Sequence, residues 1–189
     1  MTLKYGLIGC SSFSQKSFFP VMSASKSLEV DFIGSRSIEK SKEWASKYGV
    51  PNYGNYEDVI NSNVDVVYIP LPIALHEEWA IKALHAGKHV LCEKSSTISL
   101  QSAIDMVRAA KNNNKRIMEA FSFRFHPQHK IINEIVLKEL GEIQNFYGIY
   151  GFPDPVDGDI KWQKKLGGGV LNDMTCYPIC ASRLIFGDT

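Results

Sequence analysis

The sequence has no apolar run long enough to span a bilayer. The longest, VDVVYIPLPIAL at 64–75, carries Asp65, Pro70 and Pro72 and falls well short of the ~20 residues a spanning helix needs. The N-terminus also has no continuous apolar signal core, so the expectation is a cytoplasmic protein with no membrane partner. An excess of either charge is missing too: 21 Lys and Arg stand against 20 Asp and Glu, spread without blocks, which argues against a nucleic-acid stripe. Only four cysteines occur, Cys10, Cys92, Cys176 and Cys180, with no CxxC pair and no disulfide-framework spacing, and they read as reduced, buried thiols. Low-complexity linkers and internal repeats are absent as well.

What is present is an alternation. KYGLIG reads as a strand and 15–23 as a helix. LEVDFIG is a second strand, followed by a helix in SIEKSKEWASKYG with Ser37 as N-cap and Gly49 just past its end. NYEDVINS is a short helix, VDVVYIP a strand, and LHEEWAIKALHAG a helix closed by Gly87. KHVLCE is a strand, the next helix is capped by Ser99, and RIMEA is a strand. Strands joined by helices need crossovers, so residues 1–120 are expected to form a doubly wound, mostly parallel Rossmann sheet. From 121 to 189 the pattern changes: a helix in HPQHKIINEIVLKELG, a longer aromatic strand in IQNFYGIYGF, a turn-rich segment, then a glycine turn leading into a helix. This is the expected start of a C-terminal α/β domain with an open, mostly antiparallel sheet, since one strand cannot make a sheet alone.

Ligands of such a sheet sit beyond the carboxyl ends of its strands. After the first strand the chain presents GxSxxS where a dinucleotide fold has GxGxxG. Ser11 and Ser14 are small polar replacements, and the loop is either a phosphate cradle or a Ser-rich helix start. After the second strand, Ser35, Arg36 and Ser37, with Lys40 one turn on, suit a 2'-phosphate better than a bare ribose, the alternative being a solvated arginine. Lys94 follows the strand KHVLCE, either beside a substrate oxygen or as a solvated lysine paired with Glu93. Asp173 and Tyr177 lie four apart on a helix, as a proton-handling pair or as packing. His126 and His129 lack a third ligand of metal spacing, so no metal is expected. Asp154, Asp157 and Asp159 fit a solvated loop, with a glycosidase carboxylate pair as the alternative.

Three stretches in order, YIPLPIALHEEWAIKALHAGKHVLCEKS, MEAFSFRFHPQH and LGGGVLNDMTCYP, resemble signatures of the glucose-fructose oxidoreductase, inositol dehydrogenase and related (Gfo/Idh/MocA) family. The likeness is strongest to its dihydrodiol and sugar dehydrogenases and nucleotide-sugar ketoreductases. The resemblance implies a Rossmann domain and a C-terminal α/β domain with a nicotinamide cofactor between them, and the Ser35, Arg36, Ser37 and Lys40 set favours NADP over NAD. It implies an oxidoreductase that moves a hydride to or from a hydroxyl or keto carbon of a sugar, nucleotide sugar or polyol. Lys94, Asp173 and Tyr177 match the family's catalytic positions. Gly9, Ser11, Ser12 and Phe13 match the pyrophosphate loop, and Ser35, Arg36 and Ser37 the adenosine-phosphate end. Leu71, Pro72, His76 and Glu93 match the segments around the nicotinamide. Arg124, His126 and Trp162 fall on the substrate side. Ser95 stands where the family has proline after the lysine, and Ile73 where many members have Asn.

Family members continue well past residue 189, so the resemblance implies a piece of a longer enzyme, homo-oligomeric through its C-terminal sheet, or a truncated relative. A cofactor-binding sensor without turnover and an NAD-dependent glycosidase are the alternative functions.

Overall fold

A computed structural model describes residues 2–153 and 156–187; Asp154 lies outside the described residues. The chain divides into two compact units, residues 1–120 and 121–189.

The first unit is built on one six-stranded sheet: β1 (Leu3–Ile8), β2 (Leu28–Gly34), β3 (Asn52–Gly54), β4 (Val66–Ile69), β5 (His89–Cys92) and β6 (Ile117–Glu119). The order is β3-β2-β1-β4-β5-β6 and every pairing is parallel. This is the doubly wound arrangement expected from the alternation of elements, with β3 as an addition. Its three residues follow Pro51 and contain a single aromatic, Tyr53, so neither length nor alternation marks it in the sequence.

Successive side chains of a strand face opposite ways, and a parallel sheet buries both faces. Leu7 packs with Ile33 and Tyr68 against Phe18, Phe19 and Trp44. Its neighbour Ile8 packs with Val67, Ile69 and Val90 against Val59, Trp79, Leu84 and Met106. The helices supplying these layers are α1 (Phe19–Ala24), α2 (Ile38–Tyr48), α3 (Tyr56–Asn61), α4 (His76–His85) and α5 (Leu100–Asn112). Local chemistry sets their ends. The Ser37 hydroxyl accepts from the Lys40 amide and Gly49 adopts φ 68° past α2, as their residue types require. Asn55 and Asp58 form a reciprocal capping box on α3. Ser99 caps α5 by accepting from the Ser102 amide.

In the second unit, α6 (Gln128–Ile135) continues through a π turn, Val136–Leu140, to Gly141. A second π turn, Leu171–Thr175, runs directly into α7 (Cys176–Phe186). Pro178 lies two residues into α7, just past the π turn, and has no N–H to donate to that turn. The aromatic segment 143–152 does not pair as a strand among the described residues. Tyr147 is 88% exposed and Ile149 80%, so the segment lacks the ladder and the covered face that make a strand stable. Among the described residues no helix is long and apolar enough to cross a membrane.

Candidate active site

Strand order reverses between β1 and β4, and the chain leaves both strands through short loops. Gly9 has φ 106°, a conformation L side chains rarely adopt, and its amide donates to the Gly34 carbonyl at 2.9 Å. A Cβ placed on Gly9 would stand 2.7 Å from Leu71 Cδ2. The loop after β1 therefore packs directly on the loop after β4. Ser11 caps the helical stretch 12–24 that follows: its Oγ accepts from the Ser14 amide at 3.0 Å and lies 2.8 Å from the Ser14 hydroxyl. Ser14 is fully buried. The two serines thus satisfy each other, one inside the helix–strand interface and one at the cap. The first amides of that helix have no intrahelical partner and carry its positive end. Phe13 is half exposed on the same turn.

At the end of β2, Ser35 is buried and donates its amide to the Gly54 carbonyl. Its Oγ accepts from the Ser37 amide at 3.3 Å. Ser37 is committed twice, accepting from the Lys40 amide and donating to Glu39 at 2.8 Å. Of the three residues expected at a 2'-phosphate, only Arg36 is an exposed cation. Burial pushes the Cys10 thiol up to about 11, with the Lys40 charge and a Ser35 hydrogen bond opposing. Cys10, Ser35 and Lys40 therefore share one corner. Burial likewise raises the Tyr56 phenol, against the opposing Arg36 charge.

Lys94 follows β5, and its surroundings change the expectation for His76. Glu93 does not face outward: Tyr68 Oη donates to Glu93 Oε1 at 2.8 Å, and the Lys94 amide donates to Oε2 at 3.3 Å. Burial pushes the Glu93 carboxyl above its usual range, and the Tyr68 phenol rises by the same cause. Each Glu93 oxygen thus accepts one hydrogen bond, and the carboxylate supports the lysine's backbone. His76 is 0% exposed, with Nε2 2.8 Å from the Leu71 carbonyl and Nδ1 3.0 Å from the Ser95 carbonyl. A ring with no accessible surface cannot touch a ligand, so its place beside the nicotinamide is replaced by a place beneath the loops. The Ser96 amide donates to Glu119 at 2.7 Å, and the Lys94–Ser95 peptide is cis. The Tyr68–Glu93, His76–Ser95 and Ser96–Glu119 partners lie 25, 19 and 23 residues apart, and only tertiary contacts reveal them.

In the second unit the glycine turn is a close-packing device. A Cβ on Gly168 would meet the Lys161 carbonyl oxygen at 2.5 Å, so the turn lies against the 160–162 backbone. Beside it is a cavity of about 180 Å³ lined by Tyr150, Phe152, Lys161, Trp162, Val170 and Asp173, among others. Asp159 pairs with Lys161 at 3.5 Å. Tyr177 stacks on Tyr150, ring centroids 4.2 Å apart, with Phe121 and Phe123 against its other sides. Asp173, Trp162 and Tyr177 are thus gathered around Tyr150. Arg124 and His126 lie exposed on and just after the 3₁₀ turn Ser122–Phe125. His126 Nδ1 accepts from the Gln128 amide and His129 Nε2 meets the Phe123 carbonyl. Among the described residues no metal-binding group of His, Cys, Asp or Glu is gathered.

Residues 3–121 match the oxidoreductase family model with an NAD-binding Rossmann fold (GFO_IDH_MocA), and residues 131–189 match the GFO/IDH/MocA C-terminal domain. The chain belongs to the Gfo/Idh/MocA family. Among its members, dTDP-3,4-didehydro-2,6-dideoxy-alpha-D-glucose 3-reductase from Actinomadura kijaniata is 35% identical over 187 residues, 98% of this chain and 56% of that protein. D-xylose 1-dehydrogenase (NADP(+)) 2 of Haloferax volcanii is 35% identical over 98% of this chain and 58% of its own length. A solved 3-ketoreductase from Actinomadura kijaniata, in complex with NADP and TDP-benzene, superposes with a TM-score of 0.94 at 35% identity over 99% of this chain and 58% of that one. The chain therefore spans somewhat over half the length of these Gfo/Idh/MocA relatives.

Proposed function

We propose that this chain supplies the cofactor-binding unit and part of the substrate-binding unit of an NADP-dependent oxidoreductase acting on a hydroxyl or keto carbon of a sugar-like substrate. The observation that carries the reading is the turn at Gly9–Ser14, packed on Leu71 where strand order reverses, in a chain whose similar relatives include an NADP(+) dehydrogenase and an NADP-bound ketoreductase.

The residues fit a dinucleotide. The positive φ and missing Cβ of Gly9 keep the crevice floor clear, and the helix start at Ser12 and Phe13 offers amides to a pyrophosphate. Arg36, with Lys40 one turn on, offers cations to a 2'-phosphate. When bound, the nicotinamide supplies the hydride carrier. Lys94 donates a hydrogen bond to the reacting oxygen, Tyr177 exchanges its proton, and Asp173 with Trp162 holds the sugar. Arg124 and His126 belong to the substrate side.

The segment 143–152 is assigned as a strand of an open C-terminal sheet through which copies of the enzyme pair, and the enzyme as cytosolic. Lys94→Ala and Tyr177→Phe should each lower NADPH-linked turnover of a keto-sugar by about a hundredfold. Wild-type rates in both variants would reject these roles, and sugar release without net cofactor consumption would replace oxidoreduction by glycoside cleavage.

A further inference from the structure

We propose that His76 is a positioning residue for Lys94, its Nδ1–H donating to the Ser95 carbonyl and so tying the loop after β5 to the start of α4. The inference rests on the role given to Lys94 above.

His76 is the first residue of α4, and its ring is fully buried. If the site needed only volume, an aromatic hydrocarbon ring would fill it. Instead each ring nitrogen meets a main-chain carbonyl: Nε2 that of Leu71 at 2.8 Å, Nδ1 that of Ser95 at 3.0 Å. With its one N–H at Nδ1 the neutral ring donates to the Ser95 carbonyl, and removing that donor would leave this acceptor unpaired, which is costly. The two carbonyls belong to loops that matter. Leu71 carries the side chain lying against Gly9, and Ser95 immediately follows Lys94. Ser95 has no pyrrolidine ring to stiffen the chain. Its backbone is held by hydrogen bonds instead, His76 at the Ser95 carbonyl and Glu119 at the Ser96 amide. On the near side, Glu93 accepts from the Lys94 amide and is itself held by Tyr68. Lys94 is thus set in backbone gripped on both sides, and a displacement of about 1 Å at such a group can cost ~100-fold in rate. A neutral imidazole has one N–H and donates to one carbonyl. An asparagine at position 76 can return a donor at the Nδ1 site toward Ser95, and a glutamine one at the Nε2 site toward Leu71.

The test compares His76→Phe, His76→Asn and His76→Gln in the full chain. It reads kcat, KM, NADPH affinity by titration, and amide hydrogen exchange across 94–97. His76→Phe should lower kcat about tenfold or more, with KM and NADPH affinity within about twofold of wild type. His76→Asn should recover more of the loss than His76→Gln, and exchange across 94–97 should rise in the order Asn, Gln, Phe. A folded His76→Phe with wild-type kcat and exchange would overturn the proposal, as would Gln rescuing better than Asn. If His76→Phe does not fold, the Asn and Gln pair decides alone. Failure of the wild-type chain to bind NADPH or turn over would reject the oxidoreductase reading instead, and the exchange order would still judge the hydrogen-bonded arrangement.

Discussion

Ser11 and Ser14 show how a departure from a motif is absorbed at the scale of a residue. The fingerprint's small residues allow backbone to approach phosphate and helix to pack on strand. Here Ser14 packs in the interface with its hydroxyl satisfied by Ser11, and Ser11 caps the helix. That much was legible, because Ser is both small and a good cap. Glu93 and His76 were legible only as positions. Their partners Tyr68 and Ser95 lie 25 and 19 residues away, and no local pattern encodes such pairings. The buried imidazole also carries a pH signature. Burial is the larger effect and holds it below its usual value of 6.5, while hydrogen bonds to the Leu71, Ser95 and Ser96 backbone oppose the shift. Between the folded value and 6.5 the unfolded chain binds a proton that the folded chain does not. The stability contribution is therefore complete above 6.5 and is lost as pH falls through that window. Glu93 is shifted the other way, so its contribution is complete below the usual 4.5 and fades as pH rises. Urea midpoints measured from pH 8 downward should fall below pH 6.5 in wild type and fall less in His76→Phe; parallel curves would show that the ring does not titrate this way.

At the scale of elements, what the sequence made readable follows from which interactions are local. The N-caps Ser37 and Ser99 and the terminal Gly49 act within a few residues, and all three end helices as their chemistry requires. β4, VVYI, is a continuous apolar run buried throughout, the mark of a strand covered on both faces, and β1 and β2 end in buried apolar residues after more polar starts. β3 was missed because three residues with little apolar content carry no period. The stretch 143–152 reads as a strand from its aromatic content, yet strand pairing is non-local, and the described residues provide no partner for it. The loop after β1 is the element most sensitive to a single atom. Gly9→Ala places a methyl carbon 2.7 Å from Leu71 at φ 106°. It should cost about 1–3 kcal/mol of stability, read by chemical denaturation, and weaken NADPH binding with it. An unchanged denaturation curve would mean that the two loops do not meet as described.

For the whole molecule, the near balance of charges, 21 basic against 20 acidic residues, leaves recognition to small clusters. The cations Arg36 and Lys40 stand at one end of the first unit, and the second unit holds a small aromatic-walled cavity with Lys161 and Asp173. The chain covers 56–58% of the length of its named relatives, so the claim that can be tested on these residues directly is cofactor binding by the Rossmann unit. Calorimetric titration with NADPH and NADH, for wild type and Arg36→Ala, does so. Tighter binding of NADPH than of NADH, with the advantage largely lost in Arg36→Ala and NADH affinity unchanged, is the expected result. A folded chain that binds neither nucleotide, or binds both equally with and without Arg36, would contradict the account.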